Sequence, residues 1–305
     1  MKYEDIKKVI ESCHLNFLLG SGASKPFLDT LTDIEKSLEN LHKGYGLGEE
    51  QNNPAVLKLI EVSIKHHYFK KCIERNIKLI SINDKSNETF NTYIEVLQSI
   101  QTILVKRFTN IISKQVNLFT TNMDVFLDLA IEKLGYSIND GFSGRMNPKF
   151  GTQNFHNIIN KVSSHYEYQS TVPLFNLFKL HGSLNWAFNK SDEEIYFDGS
   201  LSVTKKLSEI EFNEDELIKC FNDDGQTIEL SEIYESAANK EIGVDLNEKL
   251  DLFISAYQEL VIVNPNKDKF EGKQPPNPIF PNHATCCIFV KIFDLCNEPK
   301  IPCFL

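Results

Sequence analysis

Residues Leu15–Ser24 read LNFLLGSGAS, a short and mostly apolar run that ends in a turn of small residues. A run of that length closing on glycine predicts a strand entering a tight turn, the first unit of a doubly wound α/β fold with a parallel sheet. Gly20 and Gly22 carry no side chain, so a ligand phosphate can approach the backbone there. The N–H groups opening the helical stretch that follows would favour negative charge at the same point. GSGAS lacks the third glycine of the usual dinucleotide fingerprint, so by itself it fits a plain strand-to-helix turn as well as a phosphate site.

Two later stretches repeat the pattern. In VNLFTTNMDVFLDLAIEKLG, Val116–Phe119 predicts a compact strand, and Asp124 opens an amphipathic helix with Val125, Phe126, Leu129 and Leu134 apolar. Thr120, Thr121, Asn122 and Asp124 therefore stand at the carboxyl end of a parallel strand, where open α/β sheets bind ligands. Their polar groups suit a ribose, and they suit helix capping equally well. In LFNLFKLHGSLNWAF, Leu174–Leu180 predicts a buried strand followed by His181, Gly182 and Ser183. A histidine there can serve as general base or proton relay, because its ordinary pKa is near neutral, and Gly182 would let a substrate come close. A purely structural histidine is the plainer alternative.

The remaining chain gives the frame. Helical patterns are predicted at 2–13 (Ile6, Val9 and Ile10 on one face), from Phe27 to about Leu41, and at Ala55–Ile73 and Glu88–Ser113. The long pair reads as a helical cap inserted between the first two strands of the sheet. His66 and His67 lie in it; adjacent helical residues point about 100° apart, so they read as surface histidines rather than a metal pair. SINDGFSGRMNPKFGTQNF, rich in Gly, Asn and Ser, reads as a loop.

With 41% hydrophobic and 24% charged residues, the 305-residue chain has the composition of a soluble globular protein of one large or two modest domains. No apolar run approaches the roughly 18 residues of a membrane span, and MKYEDIKKVI is too charged for a signal peptide, so a cytoplasmic location is expected. The formal charge is −10, yet Asp192–Asp251 alone holds 18 acidic and 5 basic residues. That block reads as a solvated acidic insertion. The lack of a basic stripe argues against direct nucleic-acid binding. Seven cysteines occur without a CxxC; four of them (Cys286, Cys287, Cys296 and Cys303) crowd the tail, and all are read as reduced thiols. GSGAS is also no G-x-S-x-G elbow, which argues against a serine hydrolase.

Taken together, GSGAS, TTNMD and KLHGSLNW resemble, in order and spacing, the sirtuin-like (SIR2-like) superfamily. They resemble in particular the bacterial antiphage-defence members paired with a HerA-type ATPase. FTTNMD at Phe119–Asp124, DGFSG at Asp140–Gly144, QNF at Gln153–Phe155 and KLHGSLNW at Lys179–Trp186 carry the likeness, which spans roughly residues 15–270. The resemblance implies a Rossmann-like domain over 1–273, with a helical insertion at about 42–114 and an acidic insertion at about 190–250. It implies NAD as substrate, with Gly20, Ser21, Gly22, Ala23 and Ser24 forming the phosphate turn. Asn122 would place the nicotinamide ribose and the attacking water, Asp124 would support that pocket, and His181 would act as base. Thr120, Thr121, Gly182 and Ser183 would complete the cofactor-binding surface.

Protein-deacylating sirtuins carry a four-cysteine zinc module after the H-G motif. Here the acidic segment takes that place and no zinc is expected. The resemblance therefore implies an NAD glycohydrolase, acting as an antiphage effector through NAD depletion, as a homo-oligomer with a HerA-type ATPase partner. The alternative is a non-catalytic NAD or ADP-ribose sensor, or a structural subunit of such a complex. The tail, residues 274–305, holds six of the eleven prolines and four of the seven cysteines. It departs from the strands that close the family's sheet and reads as a truncation or frameshift after about residue 273, which would leave an apolar sheet edge and half an adenosine pocket.

Overall fold

A computed structural model describes residues 10, 13–29, 34–43, 53–81, 87–107, 112–165, 167–213, 215–222 and 225–262. The tail, with its four cysteines, lies outside the described residues, as do most of the helix expected at 2–13 and the loop at 44–52.

Among the described residues, β1 (Leu15–Leu19) is followed by the α-helices α1 (Ile34–Lys43), α2 (Pro54–Tyr68), α3 (Arg75–Ser81) and α4 (Glu88–Lys106). Local chemistry fixes their ends. Asn53 caps α2 through a 3.0 Å bond from the Ala55 N–H, with Pro54 at the first helical position. Asn87 caps α4 in the same way, accepting from the Phe90 N–H at 3.1 Å. α4 stops at Lys106, short of the predicted Ser113, because Arg107 is extended and aims its guanidinium at the Ile10 and Cys13 carbonyls, both at 2.7 Å. Between α2 and α3 the chain makes a π turn at Phe69–Ile73, and Asn76 Nδ2 satisfies the Cys72 and Ile73 carbonyls.

β2 (Gln115–Thr120) leads into α5 (Phe126–Leu134), which ends on Gly135 in the left-handed region at φ 64°. Short strands follow: β3 (Ser137–Asn139), β4 (Phe142–Ser143), β5 (Lys149–Phe150), β6 (Asn160–Val162) and β7 (Gln169–Thr171). Then come β8 (Leu174–Lys179), β9 (Trp186–Asn189), β10 (Glu194–Phe197), α6 (Ser202–Ser208), α7 (Leu230–Ala238) and α8 (Val244–Gln258).

The main sheet runs β1-β2-β8-β3, parallel throughout, a Rossmann-like α/β arrangement flanked by helices. β8 is buried along its whole length, as its near-continuous apolar sequence requires of an inner parallel strand. α2 to α4 form the expected helical insertion between β1 and β2 and join one core with the sheet. Across the sheet, Asn139, Asn176, Asn117 and Asn16 stand in register, and each amide donates to the next, at 3.2, 2.9 and 2.8 Å.

Three sequence readings need correction. The Gly/Asn/Ser stretch around 137–155 is not only loop: β4 and β5 join β10 and β9 in a second, antiparallel sheet. Phe142, Phe150 and Trp186 cluster beneath it, an aromatic anchor that local propensity did not show. Nor is the acidic block simply solvated. Leu201, Leu207, Ile233 and Leu250 in it are buried in the main core, and its described carboxylates are exposed or half-buried. His66 and His67 are half-buried against it, not surface residues: His66 lies edge-on to Phe212 and Phe253, and His67 stacks on Phe221 at 4.4 Å. Burial lowers the His66 pKa to about 4 and lowers that of His67 as well, so both rings are neutral near pH 7. No helix among the described residues is long and apolar enough to cross a membrane.

Candidate functional site

Strand register brings the three predicted turns together. Leu19 pairs with Thr120 and Thr120 with Lys179, so Gly20, Thr121 and Leu180 leave the sheet side by side at its carboxyl edge. The Thr121 N–H donates to the Leu19 carbonyl at 3.2 Å and the Leu180 N–H to the Thr120 carbonyl at 2.9 Å. Asn122 and His181 each lie two residues past the end of neighbouring strands.

In the first turn Gly20, Ser21, Gly22 and Ala23 are exposed. A Cβ added at Gly20 or Gly22 would meet no atom of the described residues within 4 Å, so none of these requires glycine there. The residues after Gly20 form a single 3-10 turn, Ser21–Ser24, and the next described helix starts at Ile34. The expected helix N-terminus is therefore not described at this turn.

Ser24 is buried and faces inward, not toward a phosphate. Its hydroxyl donates to Asp124 Oδ2 at 2.6 Å and lies 3.1 Å from both Asn122 Nδ2 and the Tyr93 hydroxyl. Asn122 Nδ2 also donates to the Gly20 carbonyl at 3.0 Å, while the Asn122 N–H donates to Thr120 Oγ1. Both sides of the amide are thereby assigned: Nδ2 is committed, and Oδ1 is buried with no hydrogen-bond partner among the described residues. Burial raises the Asp124 pKa, opposed by the Ser24 hydrogen bond and the charge of Lys179. Asp124 Oδ1 accepts from the Phe126 N–H, the first of α5.

The third turn is held from beneath. Lys179 is buried, and its Nζ donates to the Asp124 carbonyl at 2.7 Å and to Ser183 Oγ at 2.8 Å. It also lies 2.5 Å from Asp128 Oδ2, at an angle that makes an ion pair without a hydrogen bond. Ser183 Oγ donates to Asn185 Oδ1 at 2.5 Å, and Asn185 Nδ2 donates to Asp128 Oδ1 at 3.0 Å, which closes a ring. Ser183 is thus turned into the interior, away from any ligand. Gly182 also has a different reason to be glycine from the one expected. At φ 75° its Cβ would stand 2.1 Å from the Val261 carbonyl, because residues 261–262 cross over this turn, where the Ser183 N–H donates to that carbonyl at 3.0 Å. His181 is half-buried beside it.

The helical insertion reaches both the first and the middle turn. Tyr93 meets Ser24, the Tyr68 hydroxyl donates to Met123 Sδ at 3.3 Å, and Asn76 Oδ1 accepts from the Val125 N–H at 3.3 Å. Sequence reading missed Tyr93, Asn76, Lys179, Asp128 and Asn185. Only Lys179, a cation ending an otherwise apolar strand, left a visible signal. Among the described residues no group of three His, Cys, Asp or Glu side chains could hold a metal ion. A search of protein-family models and of curated proteins finds no match to this chain.

Proposed function

We propose that the carboxyl edge of the sheet binds NAD and hydrolyses it to nicotinamide and ADP-ribose. The observation that carries this reading is the buried, unpartnered Oδ1 of Asn122, an acceptor fixed between two other turns at a sheet edge of the kind that binds nucleotides. In the reaction, water adds to C1′ of the nicotinamide ribose as the C1′–N bond breaks, and nicotinamide leaves with the bonding electron pair. Asn122 Oδ1 accepts a hydrogen bond from that water or from a ribose hydroxyl, and His181 takes the proton the water gives up. The open backbone at Gly20 and Gly22 supports a phosphate approaching the first turn.

On this reading the protein is an antiphage effector in a homo-oligomer with a HerA-type ATPase; the motif resemblance supports this. The test is nicotinamide release from NAD by the purified chain, with ADP-ribose binding followed by calorimetry. Asn122→Ala is expected to lower release by roughly 100-fold or more while binding persists. Binding without release in the parent chain would favour the sensor reading, and release that survives Asn122→Ala would overturn the assignment.

A further inference from the structure

Lys179 is the feature that the reaction does not use. Lysine is almost never fully buried unless paired, and a buried ion pair commonly stabilises a fold no better than apolar residues of the same size. Its position offers another explanation. Nζ bonds to the carbonyl of Asp124 in the Asn122 turn and to the hydroxyl of Ser183 in the His181 turn, and pairs with Asp128 at the start of α5. One cation thus ties both candidate turns to one helix end.

We propose that Lys179 is a positioning residue whose ammonium sets the Asn122 turn against the His181 turn. The proposal rests on the functional reading for its catalytic consequence, but not for its structural one. Without the ammonium, the Asp124 carbonyl and the Ser183 hydroxyl lose their shared donor, and the direct links left between the two turns converge on the Met123 carbonyl, from the Leu184 N–H at 3.0 Å and from Ser183 Oγ at 3.3 Å.

The single change Lys179→Met would strand the Asp128 carboxylate and could unfold the chain. The test therefore pairs it with Lys179→Met/Asp128→Asn, which removes both charges and leaves Asn185 an acceptor. Amide hydrogen exchange, thermal unfolding and nicotinamide release are measured on the full chain. For the double variant the expected result is an unfolding midpoint near that of the parent, with exchange in 121–125 and 181–184 at least ten-fold faster than in the remaining core. The kcat for nicotinamide release falls at least ten-fold, with KM changed by less than three-fold. Exchange in those segments equal to the parent's, in a folded double variant, would overturn the proposal. If the parent chain releases no nicotinamide, the functional reading fails, and the exchange measurement still decides the role of Lys179.

Discussion

Asn122 shows how proton counting assigns a side chain. Ser24 has one hydroxyl proton, and the 2.6 Å contact with the Asp124 carboxylate takes it. Toward Asn122 the serine can then only accept, which turns Nδ2 toward it and leaves Oδ1 without a partner among the described residues. On the proposed reading, this acceptor is the atom that meets a hydroxyl or a water. His66 supports a prediction at the same scale. Its folded pKa of about 4 lies below the ordinary 6.5, because burial disfavours the cation. Between those values the unfolded chain binds the extra proton more readily, so stability is complete above about pH 6.5 and falls as pH drops toward 4. With the ring half-exposed and screened, the loss is on the order of 1 kcal/mol, and His67 adds to it in the same direction. Urea unfolding at pH 7 and pH 5 checks this: the difference in midpoint should shrink in His66→Phe.

Among the elements, β8 and the turn after it carry the most consequence. Gly182→Ala would drive a methyl into the Val261 carbonyl at a φ that alanine resists. The expected cost is about 2 kcal/mol or more, read as a lower denaturation midpoint, with residues 261–262 released from the turn first in hydrogen exchange. The reason for that glycine was not legible in the sequence, because it lies some eighty residues away in Val261. β1, β2 and β8 were legible: each is a short run of mostly apolar residues closed by a polar or glycine turn, and parallel pairing then places their ends together without further information. The turns that hold Asn122 and His181 followed from this. The inward direction of Ser24 and Ser183 did not, since a serine after glycine reads the same whether it faces a phosphate or a buried lysine. The second sheet escaped for a related reason: two-residue strands such as β4 and β5 have no period to detect, and the packing of Trp186 and its aromatic neighbours against them comes from elsewhere in the chain.

For the whole molecule, the acidic block behaves as structure rather than as a charge reservoir. α7 and α8 lie against the helical insertion through buried Ile233, Leu250 and Phe253. The ion pairs around them, Lys58–Asp251 and Lys206–Glu259, are largely solvated and contribute little. Phe253→Ala should therefore cost about 3–5 kcal/mol, whereas Lys206→Ala should cost less than about 1 kcal/mol, and thermal unfolding of the two variants separates them. The row of asparagines across the main sheet has a consequence of its own. Its amides all give hydrogen in one direction, from β3 through β8 and β2 to β1. In β1, β2 and β8 the asparagine stands between apolar neighbours, so sliding one of these strands by one residue would set a hydrocarbon against an amide and turn its own amide to the opposite face. The row works as a key with a single fit, favouring this register of the sheet over its one-residue slips.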